Sequence, residues 1–342
     1  MSGAQQEADR LTALFTGAGA QVLHTPVLQP AETLLDLYGE DIRARAYVTS
    51  DPERGEQMLR PDFTVPVVQT HMTDGAEPAR YTYQGLVFRK QEAGTGRACE
   101  YMQVGYELFE RDAPAQADAE VFALFSQALQ GLGLRAVMGD IGVLMAAVAG
   151  LSTSERRRAA LKRHIWRPTR FRALLERFSA AQTRAVPDAP SGQKIGLRSA
   201  AEVQDRLDAL RADADTAPLD AREVAALLAI LDVAAAAPKA LTTLREIAQG
   251  FPAISAALDL LEQRLQALEA KGVDVSQLPF EGAYGRMTME YYDGFVFGFH
   301  ADGMPPVATG GRYDALTRVL GQGREIPAVG GVIRPELVEA LR

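Results

Sequence analysis

Apolar and polar positions follow two different periods along this chain, and the change of period divides it. Residues 4–18 place Leu11, Leu14 and Phe15 on one face at helical spacing, which predicts an amphipathic helix. The following AQVLHTPVLQP, with Val22, Leu23 and Val27, predicts a strand that ends at prolines. YTYQGLVFRK and EYMQVGYELFE are rich in aromatic and β-branched residues and flank the polar, glycine-containing loop around AGTGR. Two antiparallel strands are expected there. AQADAEVFALFSQALQGLGL then returns to helical spacing and stops at glycine.

From Leu151 to about Leu268 the chain is rich in Ala, Leu and Arg, and helix starts recur. Ser152 with Glu155 and Ser199 with Glu202 have capping-box spacing, and Asp220 stands as an N-cap before AREVAALLAILDVAAAA. TRAVPDAPSGQK reads as a loop within this helical stretch. Strand character returns after Leu278 in MEYYDGFVFGFH, followed by a glycine-rich turn in VATGGRYDALTRVLG. Strands at both ends with helices between predict an α+β fold, an antiparallel sheet flanked by helices. The expected division is a core of residues 1–150 and 269–342 around a mainly helical insertion at 151–268.

Composition narrows the function. The 342 residues are 47% hydrophobic and 23% charged, as in a globular protein with a sizeable core. A formal net charge of −8 argues against nucleic-acid binding as the main task, since phosphate neutralisation needs a basic surface. The basic run that includes Arg156, Arg157, Arg158, Lys162, Arg163, Arg167, Arg170 and Arg172 is read as a solvated helical face or a surface for an acidic partner. Cys99 is the single cysteine, and His24, His71, His164 and His300 have no metal spacing, so no metal or other cofactor is expected. Cys99 itself reads as a spectator thiol and Trp166 as a packing anchor. A polar, acidic N-terminus and the lack of a ~20-residue apolar stretch predict a cytoplasmic protein without a membrane partner.

Four segments concentrate polar residues on otherwise apolar stretches: LRPDFTVP, VFRKQEAGTGRACEYMQVGYE, MEYYDGFVF and ATGGRYDAL. Asp62, Gln103 and Glu107 are acceptors suited to an ammonium group and an imidazole N–H. Gln103 and Glu107, four apart on a strand, point to one face. Tyr292 and Tyr313 add hydroxyls and aromatic walls. Each such group alone is most often a surface residue or a satisfied core group; together they imply a ligand or a dense internal network.

These segments resemble the core of class II aminoacyl-tRNA synthetases, specifically the histidyl branch, which carries LRPE-type, VFR…GR…Q…E, YY and GGRYD segments in this order. The resemblance covers residues 10–145 and 280–336. It implies that Asp62, Thr64 and Gln103 face a histidine α-amino group and that Glu107 and Tyr292 read the imidazole. Tyr313 would line the pocket, Arg89 matches the motif 2 arginine that contacts the ATP α-phosphate, and no catalytic residue is expected; in a pocket remodelled for another ligand, Arg89 and Arg312 would serve an anion. Arg97 falls in the motif 2 loop, and Pro26 matches the motif 1 proline of a dimer interface.

The pattern also breaks. Where the family has an arginine before the YY pair, this chain has Met287, and strand alternation should turn the adjacent Arg286 to the opposite face. RPEL replaces a GLER-like motif 3, so Leu337 stands for an arginine and Pro335 is expected to interrupt the helix start. An anticodon-binding domain of roughly a hundred residues would follow in the family; almost nothing follows Leu337. Asp62 is shorter than the usual glutamate, and Phe63 stands where glycine is common. Missing phosphate-facing cations should lower adenylation roughly 10³-fold. This combination resembles the synthetase paralogues that act as regulatory subunits of short-form ATP phosphoribosyltransferase. It implies a hetero-oligomer with that enzyme's catalytic subunit, self-association as a dimer, histidine as effector and no tRNA. The alternatives are a minimal histidine-activating ligase or a synthetase-like modulator of another protein.

Overall fold

The computed structural model describes every residue except 1, 2, 39, 92, 93, 95, 96, 181–185, 187–198 and 287–290, and leaves aside the side chains of 36–38, 40, 41 and 74. Met287 and nearly all of TRAVPDAPSGQK therefore lie outside the described residues.

Helix α1 (Gly3–Gly17) buries Leu11 and Phe15, as their spacing predicts. The expected strand after it is two short ones, β1 (Gln21–Val22) and β2 (Leu28–Pro30), in different sheets. Helix α2 (Ala31–Tyr38) and a 3-10 turn lead to β3 (Val48–Asp51), β4 (Gly55–Leu59) and α3 (Thr64–Asp74). Strands β2, β4 and β3 form a small antiparallel sheet over Ala31, Leu34, Met58 and Val65.

The long hairpin follows as β5 (Ala79–Phe88) and β6 (Glu100–Phe109), paired antiparallel through ten residues each. Helix α4 (Pro114–Ala128), β7 (Arg135–Asp140) and α5 (Ile141–Ala149) complete the first half. Helices α6 (Glu155–Arg163), α7 (Pro168–Ser179), α8 (Ala200–Ala214) and α9 (Ala221–Asp232) come next, then β8 (Ala234–Ala236), α10 (Ala237–Gly250) and α11 (Ser255–Ala270). The Ser199–Glu202 capping box and the Asp220 cap form as expected. Ser152 does not cap: α6 is capped by Ser154, whose position immediately before the helix suits its N–H groups, and Ser152 bonds to Glu223 instead.

The chain returns through β9 (Pro279–Glu281), β10 (Phe295–His300), β11 (Ala308–Arg312), α12 (Asp314–Leu320), β12 (Ala328–Ile333) and α13 (Pro335–Ala340). Gly310 and Gly311 lie within β11, not in a turn. A β-carbon at Gly310 would overlap the Phe297 ring and the Gly330 carbonyl. Pro335 opens α13 at its first position, where its missing N–H has no helical partner to lose.

The main sheet has nine strands in the order β1-β5-β6-β12-β11-β10-β7-β9-β8. It is mixed: β1–β5 and β7–β9 pair parallel and the remaining neighbours antiparallel. One face packs on α1 and α4 through Tyr106, Phe125 and Phe297. Helix α11 lies against α4, held by Arg264, which donates to Asp118 Oδ2 at 2.7 Å and Asp140 Oδ2 at 2.6 Å. The opposite face carries the polar residues singled out by the sequence. No helix among the described residues is long and apolar enough to cross a membrane.

Candidate functional site

Strand alternation builds this site. On β6, Val104, Tyr106 and Leu108 enter the core, so Gln103 and Glu107 face the other way, both buried. Across the ladder Glu107 pairs with Gly330 of β12, and a β-carbon there would overlap Glu107 Oε2. Asp62 approaches from the turn between β4 and α3, Thr64 from the first position of α3, Arg89 from the end of β5, and Tyr313 from the end of β11. Asp62, Thr64, Arg89, Gln103, Glu107, Tyr292 and Tyr313 line one cavity of about 40 Å³. That is well below the ~300–1,000 Å³ of small-molecule pockets, so its walls must part to admit an amino acid.

Glu107 is held by three hydroxyls. Tyr83 donates to Oε1 at 2.8 Å, Tyr313 to Oε2 at 2.6 Å and Thr64 to Oε1 at 3.2 Å. Burial nevertheless pushes its pKa up to about 7, against the pull of those bonds. Burial also raises the Tyr83 and Tyr313 hydroxyls well above the ordinary tyrosine range, so they remain donors.

Asp62 is different. It is 3% exposed, and neither carboxylate oxygen meets a donor in hydrogen-bonding geometry. Burial raises its pKa; the Arg89 charge and the nearby Val65 and Thr64 N–H groups pull only partly the other way. Gln103, 1% exposed, likewise has an unpartnered Oε1. A buried acceptor without a donor costs roughly 1–3 kcal/mol. Three such atoms at one cavity suit a ligand with several N–H donors, such as an ammonium group.

The cationic end has one expected arginine and one that sequence reasoning missed. Arg89 donates through Nε to Pro61 O at 2.7 Å and lines the cavity. Arg334 also lines it, because residues 330, 332 and 334 share one face as β12 runs out. Its guanidinium lies 4.7 Å from the Tyr101 ring centroid, and burial followed by the Arg89 and Arg97 charges lowers its pKa. The signal was in the RPEL segment; counting pleats from Gly330 would have found it. Tyr291, Thr309 and Val332 are further wall residues.

Arg312 does not line the cavity. It is three residues beyond Thr309 on β11 and so points to the helical face. There Nη2 donates to Asp118 Oδ1 at 2.6 Å and Pro114 O at 2.8 Å. Leu337 packs against the hydrophobic core. Arg286 does not line the cavity either, but residues 282–286 form turns, so the strand alternation expected there does not position it. Its Nε donates to Ile165 O at 2.8 Å, and its guanidinium lies 4.9 Å from the Phe171 ring centroid. The expected basic face loses Arg157, which is 1% exposed and ion-paired with Asp213 at 2.7 Å.

The family model described as histidyl-tRNA synthetase matches residues 3–338. An ATP phosphoribosyltransferase regulatory subunit of Allorhizobium ampelinum is 33% identical, over 96% of this chain and 95% of that one. One of Mesorhizobium japonicum is also 33% identical, over 98% and 97%. A crystal structure from Bacillus halodurans, described as an ATP phosphoribosyltransferase regulatory subunit/histidyl-tRNA synthetase, superposes with a TM-score of 0.74. It is 23% identical, with 99% of this chain and 79% of that one covered. The histidyl-tRNA synthetase of Nostoc sp. PCC 7120 gives 0.67 at 18% identity, covering 99% and 71%. These two structural likenesses speak for the fold.

Proposed function

Because the chain belongs to the histidyl-tRNA synthetase family and groups with ATP phosphoribosyltransferase regulatory subunits, we propose that it regulates such an enzyme and does not itself aminoacylate. Its partner is the short-form catalytic subunit, in the cytoplasm, at the first step of histidine biosynthesis. The core is residues 1–150 and 269–342, with 151–268 as the insertion.

The charge layout of the cavity carries the reading. Unpartnered acceptors of Asp62 and Gln103 and the guanidiniums of Arg89 and Arg334 line one small space. That arrangement suits the ammonium and carboxylate groups of a free amino acid. Glu107 and the tyrosines around it provide a polar wall for an imidazole, and histidine is the effector. For feedback, histidine must favour one state of the complex over another, because equal affinity for both shifts nothing.

Arg286 faces Ile165 and Leu337 packs into the core, so neither of these positions supplies the cavity with a cation for triphosphate cleavage. The alternative, a histidine-activating ligase, draws on Arg89 and Arg334. Histidine-dependent ATP–pyrophosphate exchange separates the two: none is expected from the purified chain, and exchange at a synthetase-like rate would establish the ligase.

Self-association fits the surface. Val22 of β1, Leu28 of β2, Val48 of β3 and Leu86 of β5 are exposed apolar residues, as is Val27 next to Pro26. A second copy of the chain would cover them. The net charge of −8 favours a protein partner over tRNA.

A further inference from the structure

A second cavity lies between α7 and α9, remote in sequence from the β6 and β12 walls of the first. Phe171 and Leu175 of α7 and Leu228 and Leu231 of α9 give it apolar walls. Arg286 is also part of its lining. This arginine is 6% exposed, and its Nη2 is buried without a hydrogen-bond partner. Its Nε is committed to Ile165 O, which fixes the plane of the guanidinium.

Two further observations concern charge. Pro168 and Thr169, in the first turn of α7, line the cavity, and this helix has no side-chain cap. A helix of twelve residues presents partial positive charge at that end. Arg172 and Glu176 complete the polar lining. Two guanidiniums against one carboxylate leave an excess of positive charge among apolar walls. A buried guanidinium donor facing apolar carbon is unfavourable until an acceptor meets it. Glu176 disfavours a doubly charged occupant, and the leucines favour one with a hydrocarbon part.

We propose that this cavity is a binding site for a small organic monoanion, a carboxylate carried on an apolar group, with Arg286 Nη2 and Arg172 as its cationic partners. The carboxylate lies at Arg286 near the start of α7, and the hydrocarbon part packs on Phe171, Leu175 and Leu228. The site is separate from the amino-acid cavity and does not depend on it.

Butyrate and inorganic phosphate serve as probes on the full chain, read by calorimetric titration and melting temperature. Arg172 and Leu228 are exposed, so Arg172→Ala and Leu228→Glu should keep the fold. Butyrate should bind the unaltered chain and lose about tenfold in affinity in either variant. It should bind Arg334→Ala unchanged. Absence of butyrate binding, affinity in Arg172→Ala and Leu228→Glu equal to that of the unaltered chain, loss of binding in Arg334→Ala, or phosphate bound more tightly than butyrate would each overturn the proposal.

Discussion

Arg286 donates through Nε to the carbonyl of Ile165 at 2.8 Å, and that bond ties its guanidinium to the segment before α7. Arg286→Met removes a buried hydrogen bond and the contact with Phe171. Stability should fall by about 1–3 kcal/mol in urea titrations. Histidine affinity at the cavity of Asp62 should stay the same. A large loss of histidine affinity in a folded variant would mean that Arg286 reaches the cavity after all.

Asp62 brings two unpartnered oxygens to that cavity. In Asp62→Ala, histidine should bind roughly tenfold to a hundredfold more weakly, as expected for losing a charge-assisted contact of about 1.5–3 kcal/mol. Melting temperature should hold or rise, because a buried carboxylate only partly compensated by Arg89 and the Val65 and Thr64 N–H groups disappears with the substitution. Titration calorimetry and thermal melting on the same samples check both halves.

Glu107 gives a pH dependence. Its carboxyl titrates at about 7 in the fold, against 4.5 ordinarily, so the folded state holds this proton more tightly than the unfolded chain does. Its contribution to stability is therefore full below about pH 4.5 and is lost as pH rises through about 7. The loss amounts to about 3 kcal/mol at most. Glu107→Gln should remove that component, and the difference between variant and unaltered chain in urea midpoint should slope across this window. A difference independent of pH would contradict the assignment.

Much of this site was legible because its segments are local. Gln103 and Glu107 share a face through a two-residue period, and Asp62 and Thr64 flank the start of α3. Arg312 was not legible in this way, because the GGRYD motif does not show the pleat that separates Arg312 from Thr309. Arg334 was missed for the complementary reason, since RPEL was read for what it lacked at Leu337. Arg157 illustrates a different limit: only the packing of α8 on α6 brings Asp213 to it, and spacing along α6 cannot show that.

Asp118 lies between Arg264 and Arg312, with bonds of 2.7 and 2.6 Å. It joins α11 of the helical stretch to β11, whose last residue precedes Tyr313 of the cavity. Asp118→Ala leaves two buried guanidiniums with only Asp140 and Asp314 as carboxylate partners and should lower stability by about 3–5 kcal/mol. Chemical denaturation measures this directly; a change below about 1 kcal/mol would show that Asp140 and Asp314 suffice to neutralise the two arginines.

The most direct measurement mixes this chain with the short-form ATP phosphoribosyltransferase catalytic subunit of the same organism and follows phosphoribosyl-ATP formation, with and without histidine. Turnover should rise about tenfold or more on mixing, a change of at least ~1.4 kcal/mol in the barrier. Histidine should reverse the rise, and Asp62→Ala should blunt that reversal. Turnover unchanged by the chain would contradict the regulatory assignment.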